Sequence, residues 1–156
     1  MIDAGRLRRR HEKCGCLLRV RSAASDTSAV FTYRQCRLSI NGLVFVIECD
    51  KCEAFADASG RRPDLMVLRT RDGEFEWLVT EVKTVMDGDA LGQVQAGIDI
   101  AGTSVMFGPA EVGAIAGLLA FRKANRTADM DRLRGGLSVA GKPVRAVVKR
   151  CGAGAI

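Results

Sequence analysis

The chain has 156 residues, 47% of them hydrophobic, enough to bury a core without staples, so a single compact domain is the first expectation. Twenty-four Lys and Arg against 18 Asp and Glu give a net charge of +6 and a pI near 9.3, a balance that favours a polyanionic partner. No apolar run reaches the roughly 18 residues that cross a bilayer, and no signal-peptide core follows the N-terminal arginines, so membrane and secreted classes are set aside for a soluble, cytoplasmic protein.

Residues 1–30 mix charge, Gly, Ser and Ala without a sustained period and carry Arg6, Arg8, Arg9 and Arg10. They predict a basic, flexible arm with at most one short element, ahead of an α/β domain over 31–156. His11, the only histidine, falls in this arm and is expected to be exposed, which argues against a His-dependent triad. Cys14, Cys16, Cys49 and Cys52 form C-x-C and C-x-x-C pairs that could offer zinc four thiolates. Cys49, however, closes the apolar run LVFVIEC, so buried reduced thiols are the preferred account and zinc is not expected.

Asn41-Gly42 between residues 32–40 and 43–49 predicts a hairpin, and residues 50–62 a loop or one short turn. A second hairpin is predicted for Pro63–Thr70 and Phe75–Val85 around Asp72-Gly73. Asp87 or Asp89 would cap a helix ending near Ala101, with Leu91, Val94 and Ile98 at helical spacing. A strand over Ile115–Phe121, a helix in TADMDRLRGG and a last strand over Val144–Lys149 complete the chain. Hairpin, hairpin, helix, strand, helix, strand is the succession of an α/β fold with a mixed central sheet flanked by helices.

The second hairpin carries the chemistry. With Asp72-Gly73 as the central residues of a type I′ turn, Arg71 faces Glu74, and counting outward sets Asp64 opposite Glu81. Alternation places Lys83 on the face of Glu81. Two facing carboxylates repel unless positive charge lies between them, and a hard divalent cation beside a lysine is a means of hydrolysing a phosphodiester. Trp77 shares that face and reads as core or edge packing rather than a base-stacking platform. Arg61 and Arg62 adjoin the site and could hold phosphates, while Lys142, Arg145, Lys149 and Arg150 make the last strand basic.

Pro63-Asp64 followed by Glu81-Val82-Lys83 on the next strand resembles the signature of the PD-(D/E)XK nuclease superfamily, and the chain has one Pro-Asp and one acid-x-Lys tripeptide. The resemblance covers about residues 43–100 in motif and implies a restriction endonuclease-like fold and cleavage of DNA. It implies that Asp64 and Glu81 bind Mg²⁺ or Mn²⁺, that Lys83 assists the attacking water, and that Gln93 on the following helix supports the site. Helical phase keeps Gln95 as an alternative to Gln93, and Glu53, Glu48 or Asp50 could supply a further acid. Small members of the superfamily dimerise to cut two strands, so a homodimer is also within the expectation. The alternative function is an inactive nucleic-acid-binding or partner-binding module on the same fold.

Overall fold

In a computed structural model, residues 3–22, 28–56, 61–85, 88–103, 107, 114–123, 136–139 and 141–156 are described. Helix α1 (Ala4–Cys14) starts at Asp3, whose carboxylate accepts the Arg6 N–H at 2.9 Å, and stops at Gly15 in the left-handed conformation. Leu7 and His11, one turn apart, face inward, while Arg6, Arg8 and Arg9 stay in solvent. The expected basic arm thus contains an eleven-residue helix with a buried stripe, and the expected exposed His11 is fully buried.

Strands β1 (Leu17–Leu18), β2 (Arg21–Ser22), β3 (Ser28–Tyr33), β4 (Cys36–Asn41) and β5 (Leu43–Glu48) follow. Two 3₁₀ turns (Cys49–Lys51 and Glu53–Phe55) lead to β6 (Leu65–Arg71), β7 (Glu74–Lys83), α2 (Gly88–Thr103) and β8 (Ile115–Phe121). The short pair β9 (Ser138–Val139) and β10 (Lys142–Pro143) precedes β11 (Ala146–Arg150). A mixed six-stranded sheet runs β1-β5-β6-β7-β8-β11, antiparallel as far as β7 and parallel from β7 to β11. The helix expected in TADMDRLRGG, and Asp87 as a cap, lie outside the described residues.

Both faces of the sheet are covered, so its central strands are almost continuously apolar. On one face Met66, Leu68, Trp77, Val79 and Leu119 pack against Leu7 of α1 and Ala90, Val94 and Ile98 of α2. On the other, Leu65, Val67, Leu78 and Leu118 meet Phe31, Tyr33, Leu38 and Ile40 of the three-stranded sheet β2-β3-β4. The two described helices therefore share one face, and a second sheet covers the other. Trp77 is in the core, donating Nε1–H to the Phe107 carbonyl at 2.9 Å. No helix among the described residues is long and apolar enough to cross a membrane.

Asn41-Gly42 is not a hairpin turn, because β4 and β5 belong to different sheets. Gly42, at φ 71°, carries the chain between layers and lies so close to β6 that a Cβ would strike the Thr70 carbonyl, while its own carbonyl accepts the Thr70 N–H at 2.8 Å. The hairpin turn is Arg34-Gln35, between β3 and β4, where two non-glycine residues hold φ of 45° and 64°. Of the six cysteines, expected to be reduced, Cys36 and Cys151 are joined by a disulfide across 115 residues. Beyond it, the Gly152 and Ile156 N–H groups donate to the Arg37 and Ser39 carbonyls, so the C-terminal segment runs alongside β4.

Gly97 on α2 sets how closely the helix approaches the sheet. A Cβ there would lie 2.5 Å from both Pro63 Cγ and Val79 Cγ1, two stiff side chains, whereas Gly92 on the same helix has open space. Gly97→Ala is expected to lower stability by about 1–3 kcal/mol through overpacking despite alanine's better helix propensity. Gly92→Ala should raise it by about 0.5–1 kcal/mol. Urea midpoints of the two variants would test this, and equal shifts would refute the packing argument.

Candidate functional site

The register counted from Asp72-Gly73 is the one observed. Both residues have positive φ (52° and 80°), Arg71 pairs with Glu74, and the ladder continues to Leu65 with Thr80, which leaves Asp64 across from Glu81. Asp64 Oδ2 accepts the Val82 N–H at 2.8 Å, and its Oδ1 lies 3.0 Å from Arg34 Nη1. Lys83 Nζ sits 4.0 Å from Glu81 Oε1. Burial first, then the charge of Asp64 and a hydrogen bond between the two carboxyl groups, pushes Glu81 up to about 9, against a weaker pull from Lys83. At neutral pH Glu81 therefore keeps its proton.

Gln93 lies on the turn of α2 that precedes Gly97. Gly97 lies over Pro63 and Val79, and Val94 approaches Gly117, the β8 partner of Val79. Because α2 joins the carboxyl end of β7 to the amino end of the parallel strand β8, it runs back along the sheet. Gln93 is one turn, about 6 Å, towards the helix start from Gly97, the direction in which β7 runs on from Val79 to Glu81. Glu81 Oε2 and Gln93 Oε1 are both buried without a hydrogen-bond partner among the described residues. Gln95 is committed elsewhere: it donates to the Ser138 carbonyl at 2.7 Å and to Asp99 at 2.9 Å, and accepts the Ser138 N–H at 3.0 Å.

Positive charge rims this end of the sheet. The Arg122 N–H pairs with the Lys83 carbonyl, and the Arg122 guanidinium reaches Thr84 Oγ1 at 2.6 Å and Gln35 Oε1 at 3.1 Å, with Lys123 next to it. Arg61 and Arg62 are exposed just ahead of Pro63. Arg145, from the basic last strand region, is instead paired with Glu76. None of the three further acids joins the pair: Glu48 is bonded to Lys51 at 2.7 Å, Asp50 and Glu53 are exposed, and it is the Cys49 N–H that meets the Asp64 carbonyl. Arg34 had no signal in the sequence, since nothing there marked Arg34-Gln35 as the turn that brings it over Asp64.

The metal expectation is corrected. His11, Cys14, Cys16 and Cys52 bring their ligand atoms within 4.8 Å of one another, a soft sulfur and nitrogen set that points to zinc rather than to Mg²⁺ or Mn²⁺. Cys14 and Cys16 were candidates from their spacing, but the imidazole of His11 stands where Cys49 was considered. The missed signal was His11 three residues before Cys14, one turn earlier on the same helix face. Burial and neighbouring thiols raise Cys16 and Cys52 above an ordinary thiol. The chain matches no protein-family model, no curated protein and no solved structure.

Proposed function

We propose that the chain is a nuclease-like domain of the PD-(D/E)XK type, acting on DNA phosphodiester bonds at the Asp64, Glu81, Lys83 and Gln93 cluster. The observation that carries this reading is the facing carboxyl pair, Glu81 buried and Asp64 partly so, with a lysine beside it at the carboxyl end of β7 and under a cationic rim. Glu81 Oε2 and Gln93 Oε1, buried without partners among the described residues, support it, since buried polar groups are ordinarily paired and a bound ligand would pair them.

The chemistry follows from the charge states. Hydrolysis needs a base for the attacking water, an acid for the leaving oxygen and positive charge for the phosphoryl oxygens. The Asp64 carboxylate can accept the water proton, the Glu81 carboxyl can donate one, and Lys83 with Arg34 can meet the developing negative charge. Gln93 can orient the water or a phosphate oxygen. A second reading, binding without cleavage, is favoured by Arg34, whose ion pair with Asp64 blocks the carboxylate until it moves to a phosphate.

Labelled single-stranded, duplex and branched DNA incubated with the full chain, with and without added divalent cations, separates the two. Cleavage falling by about 10²-fold or more in Asp64→Ala and Lys83→Ala supports the nuclease. Unchanged cleavage in both variants would sink the site assignment. Salt-sensitive binding with no cleavage under any condition would select the binding module.

A further inference from the structure

We propose that His11, Cys14, Cys16 and Cys52 hold one Zn²⁺ in a closed, four-ligand structural centre that fastens α1 to the main sheet. The donors come from three pieces of chain brought together by separate interactions. His11 and Cys14 lie on the last turn of α1, Cys16 follows the left-handed Gly15, and Cys52 separates the two 3₁₀ turns after β5. Main-chain bonds fix the approach: the Cys16 N–H donates to the His11 carbonyl at 3.2 Å, and the Glu48 N–H donates to the Cys16 carbonyl at 2.8 Å. The helix end and the strand β5 are therefore already in register where the fourth ligand arrives.

The geometry suits zinc. With bonds of about 2.3 Å to sulfur and 2.0–2.1 Å to nitrogen, tetrahedral ligand atoms sit roughly 3.5–3.8 Å apart. Here Cys16 Sγ lies 3.2 Å and Cys52 Sγ 4.0 Å from His11 Nδ1. The Cys14 and Cys16 sulfurs are 2.7 Å apart, beyond the roughly 2.05 Å of a disulfide. Metal entry would spread Cys14 from Cys16 and Cys16 from His11 and draw Cys52 closer to His11, releasing the thiol protons to solvent.

The surroundings separate a structural from a catalytic centre. The His11 ring lies 5.7 Å from Phe107 and 6.2 Å from Phe45, and Phe55 and Trp77 in turn pack on Phe107. His11, Cys16 and Cys52 are buried. A catalytic zinc keeps a position for water or substrate, whereas four protein donors behind aromatic walls make a closed shell. Cys49, also buried and free, lies outside the group and serves as an internal control.

The test is metal analysis of the full chain purified without chelator, together with its Co²⁺ spectrum after exchange and its mass under non-reducing conditions. About one zinc per chain, tetrahedral thiolate-cobalt absorption, and zinc retained in Cys49→Ser but reduced at least tenfold in Cys52→Ser are expected. Should Cys52→Ser fail to fold, the wild-type stoichiometry and cobalt spectrum decide. A folded wild-type chain with less than a tenth of an equivalent of zinc and no tetrahedral cobalt spectrum would overturn the proposal, as would a Cys14–Cys16 disulfide in the folded protein. The outcome is independent of DNA cleavage.

Discussion

Glu81→Gln is expected to make the protein more stable at pH 8. The folded state holds the Glu81 proton up to about pH 9, while the unfolded chain releases it near 4.5. Between those values the native state binds more protons, so its stability falls as pH rises through the window. Glutamine is the neutral stand-in for the protonated acid and removes that decline. At about 1.4 kcal/mol per pK unit, a gain of about 2 kcal/mol at pH 8 allows for relaxation around the site. That corresponds to a Tm rise of about 4–8 °C in a chain of this size. Melting curves from pH 5 to 9 on zinc-saturated protein would read it: wild type should slope downwards and the variant stay level. Parallel slopes would show that Glu81 is ionised in the folded protein.

The second large effect lies at the other end of the hairpin. Glu76 is buried between Arg69, at 2.8 Å, and Arg145, at 2.5 Å, with Arg71 at 3.7 Å, and Arg69 also reaches the Ile156 main-chain oxygen at 2.8 Å. Burial alone would raise this carboxyl, but hydrogen bonds from Arg145 and Arg69 outweigh it and hold Glu76 below its ordinary value. The sign is opposite to that of Glu81: the contribution is present above the unfolded value of 4.5 and is lost as pH falls through the lower folded value. Glu76→Ala leaves the buried Arg69 guanidinium without its anion and should cost about 3–5 kcal/mol at pH 7. Adding Arg69→Met should recover much of that loss. Urea unfolding at pH 7 and pH 4 checks both, and a loss under about 1 kcal/mol would mean the network is screened like a surface pair.

These two carboxylates show what could be read in advance. Asp72-Gly73 fixed the register of β6 and β7, so the juxtaposition of Asp64 and Glu81 followed from counting, whereas the apolar run of β8 suited helix or strand alike and was read as a strand only from the helix-shaped stretch after it. Local signals failed where a glycine served a long-range purpose. Gly42 follows Asn41 like a hairpin turn, yet its conformation serves a close crossing to Thr70, and the real turn at Arg34-Gln35 has neither glycine nor asparagine. The same blindness hid Arg34 from the site, since its contact with Asp64 depends on one sheet folding over the end of another. His11 was misread because charge density around it outweighed one buried stripe on a short helix, and only the arrival of Cys52 from 41 residues away reveals its neighbours. Helical phase put Gln95 nearer the apolar face of α2 and the resemblance put Gln93 in the site; in the fold Gln95 is bonded to Ser138, a long-range contact that phase cannot show, and Gln93 Oε1 is buried without a partner among the described residues.

The reading of the carboxyl pair as a hydrolytic site is tested most directly by the rate at which wild type and Glu81→Gln cut a labelled duplex at pH 8, with both proteins folded and zinc-saturated. The account predicts that wild type cleaves and that the more stable variant is slower by about 10²-fold or more. Equal cleavage by the two proteins, with the Glu81→Gln fold intact, would contradict it.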